Sequence, residues 1–138
     1  NKLQGQFTSG VSSISQRAAL AAVTSKSDSK ERMREAFLRR RDLICRLLGD
    51  VPGLKVRVPQ GAFYVMPDIS NFIGKSYDGK VMKNADDLTF FLLAEARVAM
   101  VSGTAFGADN CIRISYATSD ERIIEAVRRI KEALAKLN

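Results

Sequence analysis

Apolar residues recur along this chain with two different periods. Met33, Phe37, Ile44, Leu47 and Leu48 follow the three-to-four-residue spacing of an amphipathic helix. Asp28 with Glu31 three positions later is a capping signal for that helix, and Gly49 ends it. Ile123, Ile124, Val127, Ile130, Leu134 and Leu137 form the clearest stripe of this kind, behind a capping box at Thr118-Ser-Asp-Glu121. Leu88, Phe91, Leu92 and Ala96 predict a shorter helix that starts at Asn84 or Asp86 and runs to about Arg97. Ser13-Ile-Ser-Gln16 spells another capping box ahead of an Ala-rich helix reaching about Val23, which gives way to the small polar hinge Thr24-Ser-Lys-Ser27. The residues before it are polar, punctuated by Gly and without a period, and read as an extended or looped lead-in.

Period two appears elsewhere. Leu54-Lys-Val-Arg-Val58 alternates apolar with basic residues, as a half-buried strand does. Ala62-Phe-Tyr-Val-Met66 is a short apolar run expected to be a more buried strand, and Gln60-Gly61 between the two resembles a tight hairpin. Val98-Ala-Met-Val101 predicts a third strand and Cys111–Tyr116 a fourth. In the fourth, the pleat puts Ile112, Ile114 and Tyr116 on one side and Cys111, Arg113 and Ser115 on the other. Ser70–Asn84, with Gly74, Gly79 and three lysines (Lys75, Lys80, Lys83), has no clear period and is expected to be a long surface excursion. The chain therefore reads as α+β, a two-layer domain with a short, mostly antiparallel sheet of about four strands covered by helices and a long helical segment at its N-terminal end. Its 138 residues suit one core.

Composition narrows the chemistry. There is no histidine, which excludes Ser-His-Asp and Cys-His constellations, a His-ligated zinc and a His general base. Cys45 and Cys111 belong to no CxxC pair and are expected to be buried free thiols. No apolar run approaches the ~18 residues of a membrane span, the first ten residues lack the apolar stretch of a signal peptide, and a reducing cytoplasmic setting is expected. A start on Asn rather than Met hints at an excised piece of a longer protein, although a trimmed or matured end would look the same.

The net charge of +7 brings anionic partners into view. Arg39-Arg-Arg41 with Arg32, Arg34 and Arg46 clusters on one predicted helix. Glu31, Glu35 and Asp42 interrupt the cluster and no aromatic platform is interleaved, so a solvated helix face is preferred over a nucleic-acid surface. Gly103-Thr-Ala-Phe-Gly107 lacks the GxxxxGK[ST] pattern of a phosphate loop and suggests backbone turning. The nine lysines all lie in polar, charged or flexible segments, unlike the desolvated pocket of a Schiff-base lysine. Arg113 stands apart, because a guanidinium at mid-strand is costly to bury unless paired, and its fork suits a carboxylate. On the residues alone, an internal ion pair or an exposed strand face is the commoner explanation.

At Pro59-Gln-Gly-Ala-Phe-Tyr64, Gly103-Thr-Ala-Phe-Gly107 and Ile112-Arg-Ile-Ser-Tyr-Ala-Thr-Ser119 the sequence resembles the C-terminal part of the class I pyridoxal-phosphate aminotransferases of the aspartate aminotransferase type. Phe7-Thr-Ser-Gly-Val-Ser-Ser-Ile-Ser-Gln16 resembles that family's Ser/Thr-rich segment, and Ser70-Asn-Phe-Ile-Gly-Lys-Ser-Tyr-Asp-Gly79, continuing to Asp87, resembles a loop of one branch. The resemblance implies the small domain of a two-domain, fold type I enzyme over residues 27–138, and over residues 1–26 the tail of its large domain with a connecting helix. It implies that Arg113 clamps the substrate α-carboxylate and that Phe63 lines the active site. Thr8 and Ser9 fall where the family approaches its subunit interface. The cofactor lysine and most phosphate ligands would lie upstream of Asn1, so this chain is expected neither to hold pyridoxal phosphate nor to turn over alone. A parent homodimer acting on an amino acid, aspartate by resemblance only, and a 2-oxo acid is implied, with no nucleic-acid or membrane partner. A basic nucleic-acid-binding module and a non-catalytic amino-acid-binding domain are the alternatives.

Overall fold

The computed structural model describes residues 2–138, and the side chains of all of these but Lys2, Gln4 and Thr8. Thr8, singled out above with Ser9, therefore lies outside the described side chains. The chain divides into two units, one ending at Arg32 and the other spanning Met33–Asn138.

In the first unit, α1 (Lys2–Thr8) replaces the expected irregular lead-in. Lysine, leucine and glutamine are good helix formers, and they outweigh the single Gly5. Ser9 closes the helix in a left-handed conformation (φ 47°), its N–H donating to the Gly5 carbonyl at 3.1 Å and its hydroxyl to that of Gln6 at 3.3 Å. The following α2 (Ser13–Thr24) is capped by Ser12, one residue before the expected cap, and without a side-chain cap bond. Gln16 donates instead to the Val11 carbonyl at 2.7 Å. No residue of α2 is buried.

The long α3 (Ser29–Gly49) buries Ile44, Cys45 and Leu48, whereas Met33 is exposed. After it come β1 (Tyr64–Val65), β2 (Ser76–Tyr77), β3 (Lys80–Val81), α4 (Ala85–Ala96), β4 (Val101–Ser102), β5 (Ile112–Ser115) and α5 (Asp120–Leu134). A three-stranded antiparallel sheet runs in the order β1-β5-β4, and β2 with β3 forms a separate hairpin. The mixed α+β class thus holds. The predicted alternation of β5 holds too: Ile112, Ile114 and Tyr116 are buried, while Arg113 is half-buried and Ser115 exposed. That buried face joins Ile44 and Leu48 of α3, Leu88 and Leu92 of α4 and Ile130 of α5 in one core.

Two predicted strand features are corrected. Leu54–Val58 is not a strand, because only Lys55 finds a partner; it exchanges backbone bonds with Asp68 at 3.2 and 2.9 Å. Leu54 is buried and Val56 half-buried, whereas Val58 is exposed, so the alternation reports burial only over its first half and without a neighbouring strand to complete a ladder. Gln60-Gly61 consequently closes no hairpin. The long surface excursion expected over Ser70–Asn84, where no period was evident, contains the β2–β3 hairpin, with Asp78 (φ 48°) and Gly79 (φ 74°) at its turn. Two successive positive φ angles are what a two-residue type I′ turn demands, and Asp-Gly supplies them.

Helix boundaries follow side-chain chemistry closely. Asn84 caps α4, its Oδ1 accepting from Asp87 N–H at 2.9 Å. On α5 the cap is Ser119, not Thr118 as the capping box suggested, and Ile124 from the predicted stripe is exposed.

Candidate active site: an arginine between two aromatic rings

Antiparallel pairing sets the surroundings of Arg113. Opposite it in β4 stands Val101, and two residues along β5 Ser115 stands opposite Tyr64 of β1. Side chains two apart on a strand share a face, so the Tyr64 ring comes under the guanidinium, 5.2 Å from its central carbon. On the other flank is the Phe106 ring at 4.4 Å. The Arg113 side chain has no ion-pair or hydrogen-bond partner among the described residues. The internal ion pair that would have explained it most simply is therefore not made there.

Phe106 is held by the turn that follows β4, a short 3₁₀ segment, Gly103–Phe106. Ser102 Oγ accepts from Thr104 N–H at 3.3 Å, and Gly103 N–H donates to the Cys111 carbonyl at 2.8 Å. A methyl group on Gly103 would collide with the backbone carbonyls of Ala108 and Cys111. Gly107 ends the turn at φ 70°, a conformation that favours glycine. The two glycines thus fold the turn tightly against β5 and bring residue 106 over residue 113.

Phe63 is 53% exposed and reaches the arginine through an intermediary. Its ring meets that of Tyr64 edge-on, with centroids 5.7 Å apart and planes at 86°. Together with Phe37, Leu38, Gln60 and Tyr116 it lines an open groove whose margin carries Arg34 and Arg41. The structure thus joins Arg113, Tyr64 and Phe63 in one row and adds Phe106. Sequence reasoning left Tyr64 and Phe106 without a role. Aromatic residues within three positions of a glycine at two of the three motifs were the available signal.

This arrangement has a definite chemical capacity. Facing π-systems stabilise a cation by about 0.5–1 kcal/mol each at exposed sites and leave its N–H donors available. A planar fork held in this way can grip a carboxylate through two parallel, charge-assisted hydrogen bonds.

Other candidate groups are engaged differently. Arg39 donates to Asp120 at 3.1 Å and Arg40 to the same carboxylate at 3.3 Å, which holds the Asp120 carboxyl below the usual carboxylate range. Arg41 donates to Asp42 at 2.7 Å. Cys45 is buried, but Cys111 is only half-buried, because it sits on the same less-covered face as Arg113. Burial nevertheless pushes both thiols up, away from thiolate reactivity.

A Schiff-base lysine needs a desolvated amine whose pKa is lowered. Lys26, Lys30, Lys55, Lys80, Lys83 and Lys131 are exposed. Lys136 donates to Glu95 at 2.9 Å, which raises its pKa. Lys75 is half-buried, its Nζ 3.4 Å from the Leu137 carbonyl. The described lysines do not fit the role of covalent anchor for pyridoxal phosphate. Among the described residues no group of three or more Cys, Asp or Glu is placed to hold a metal ion, and no helix is long and apolar enough to cross a membrane.

Residues 1–130 match the family described as Aminotransferase class I and II. A bifunctional aspartate aminotransferase and glutamate/aspartate-prephenate aminotransferase of Petunia hybrida is 45% identical over 141 aligned positions, covering 99% of this chain and 29% of the relative. The aspartate aminotransferase of Streptomyces avermitilis is 42% identical, covering 97% of this chain and 33% of the relative. Among solved structures, the aspartate aminotransferase of Rhizobium meliloti superimposes with a TM-score of 0.90 at 42% identity, over 99% of this chain and 34% of that one. The Thermus thermophilus aspartate aminotransferase with maleate gives 0.78 at 37% identity, over 96% and 32%. The chain spans about a third of the length of the curated relatives it matches. With its own motifs, its fold and a match over nearly its whole length in agreement, this chain belongs to the aminotransferase class I and II family.

Proposed function

We propose that this chain is the C-terminal, substrate-carboxylate-binding portion of an aminotransferase that moves an amino group between an amino acid and a 2-oxo acid. Residues 27–138 would be its small domain, and residues 1–26 the tail of the large domain with the connecting helix. The observation that carries this reading is the Arg113 guanidinium, flanked by Tyr64 and Phe106 and without a partner among the described residues. Aspartate is the favoured amino acid. The names of the relatives support it, as does the maleate, a dicarboxylate, named with the Thermus thermophilus enzyme.

Arg113 orients the substrate. Two parallel hydrogen bonds to the α-carboxylate fix the amino acid in position and rotation, which places the Cα–H bond for cleavage. Tyr64 and Phe106 restrict the guanidinium to one plane, and Phe63 gives the substrate an apolar wall. Pyridoxal phosphate supplies the electron sink for such a reaction when bound. Its lysine anchor and most of its phosphate ligands are assigned to the rest of a homodimeric, cytoplasmic enzyme, since the lysines described here do not suit that role.

The test is Arg113→Leu in the complete enzyme, where most activity toward amino acids should be lost; near-normal kinetics would overturn the assignment. For the 138-residue chain alone, treatment with pyridoxal phosphate and borohydride should leave no stoichiometric adduct, and one mapped to a single lysine would refute the assignment of the anchor to another part of the protein.

A further inference from the structure

Ala62 is exposed and stands at φ 65°, in the left-handed region that costs a residue with a Cβ and that glycine enters freely. Gly61 lies immediately before it and does not occupy that conformation. Core packing does not hold an exposed methyl group in this state. The nearest restraints come from one buried residue and its neighbour. Tyr116, 1% exposed, donates from its hydroxyl to the Ala62 carbonyl at 2.9 Å, and from its N–H to the Phe63 carbonyl at 2.9 Å. Ser115 adds a hydroxyl bond to the same Phe63 carbonyl at 3.4 Å. The Tyr116 ring is anchored edge-on against Phe37, centroids 6.3 Å apart.

These bonds fix the residue that aims Phe63. From there the row continues through Phe63 on Tyr64 and Tyr64 on Arg113. Strain retained where a glycine was one position away points to a backbone constrained for a function. We infer that Tyr116 is a positioning residue: its hydroxyl locks Ala62 in the left-handed conformation and so sets the Phe63–Tyr64–Arg113 row that receives the substrate. This rests on the carboxylate-clamp reading of Arg113 given above. Burial raises the Tyr116 pKa, which keeps the hydroxyl protonated as a donor.

The experiment compares Arg113→Leu, Tyr116→Phe, Ala62→Gly and the Tyr116→Phe/Ala62→Gly pair in the complete enzyme, with KM and kcat for the amino acid and the thermal midpoint of each. Tyr116→Phe keeps the packed ring and removes one hydrogen bond. It should raise KM about tenfold while kcat stays within about twofold, the signature of lost uniform binding. Because a glycine at position 62 accepts either conformation of the turn, the pair should lose no more than Ala62→Gly alone, a non-additivity that a simple loss of stability would not give. An unchanged KM in Tyr116→Phe, with Arg113→Leu inactive, overturns the positioning role and leaves the clamp standing. A Tyr116→Phe enzyme whose kcat falls together with its thermal midpoint, or additive losses in the pair, reduces Tyr116 to a structural residue and overturns the proposal. Near-normal Arg113→Leu kinetics overturn both.

Discussion

The paired arginines on the helical surface and the arginine on the sheet have opposite surroundings. Arg128 donates to Glu125 at 2.8 Å and to Glu132 at 2.5 Å, and Arg129 to Glu125 at 2.7 Å; Arg39 and Arg40 share Asp120. Each of these guanidiniums has a carboxylate within hydrogen-bond reach. Arg113 has aromatic faces instead. A net charge of +7 therefore says little about where an anion binds. A cation already matched by a carboxylate is a surface feature, whereas one matched only by π faces keeps its donors for a ligand.

Replacing Arg113 with Leu tests the contrast most severely. In the complete enzyme kcat/KM for the amino acid should fall by about 100-fold or more, since a charge-assisted two-bond contact is lost. Arg113→Lys should recover only part of this, because an ammonium keeps the charge but not the fork. Phe106→Ala keeps the arginine and removes one wall. A loss of about two- to fivefold in kcat/KM is expected from the size of a cation–π contact, and a loss as large as that of Arg113→Leu would show that Phe106 itself handles the substrate.

The helical pairs predict a pH signature. Glu125, held by Arg128 and Arg129, has its pKa lowered to about 2. A carboxylate with a depressed folded-state pKa contributes stability that is present above its unfolded value of about 4.3 and is lost as pH falls toward the folded value. A carbon-detected titration should find Glu125 ionised down to about pH 2, and a midpoint near the unfolded value would show that the pair is not held in solution. The smallest effect belongs to Asp120→Asn. Exposed pairs contribute little, so the thermal midpoint should drop by about 2 °C or less, with activity unchanged.

Much of the fold was legible because it rests on local chemistry. The pleat of β5 followed from the alternation of Ile112, Ile114 and Tyr116, and the start of α4 from Asn84. Where the pattern misled, the missing information was a partner. Leu54–Val58 has the alternation of a strand and only Lys55 has a neighbour to bond. The β2–β3 hairpin carried its Asp78-Gly79 signal in plain view, but the lysines and glycines around it suggested a loop. The caps of α2 and α5 stand at Ser12 and Ser119, each one residue from the expected position, since hydroxyl residues occupy adjacent positions and the chain direction entering the helix selects among them. For the candidate site, Arg113 was visible from its place on a strand and from the family motifs. Tyr64 was not, because its approach depends on the pairing of β1 with β5, segments far apart in sequence, and Phe106 was not, because its approach depends on how tightly the turn between β4 and β5 folds.

Gly103 has a consequence for how this site can change. The carbonyls of Ala108 and Cys111 fill the space where its side chain would begin, so the turn carrying Phe106 and the strand carrying Arg113 meet there with no slack for a methyl group. Any side chain at position 103 would push the turn off the strand and carry Phe106 away from Arg113 with it. Exchange of the residue 106 side chain, by contrast, would alter the wall over the arginine with the backbone route to it left untouched.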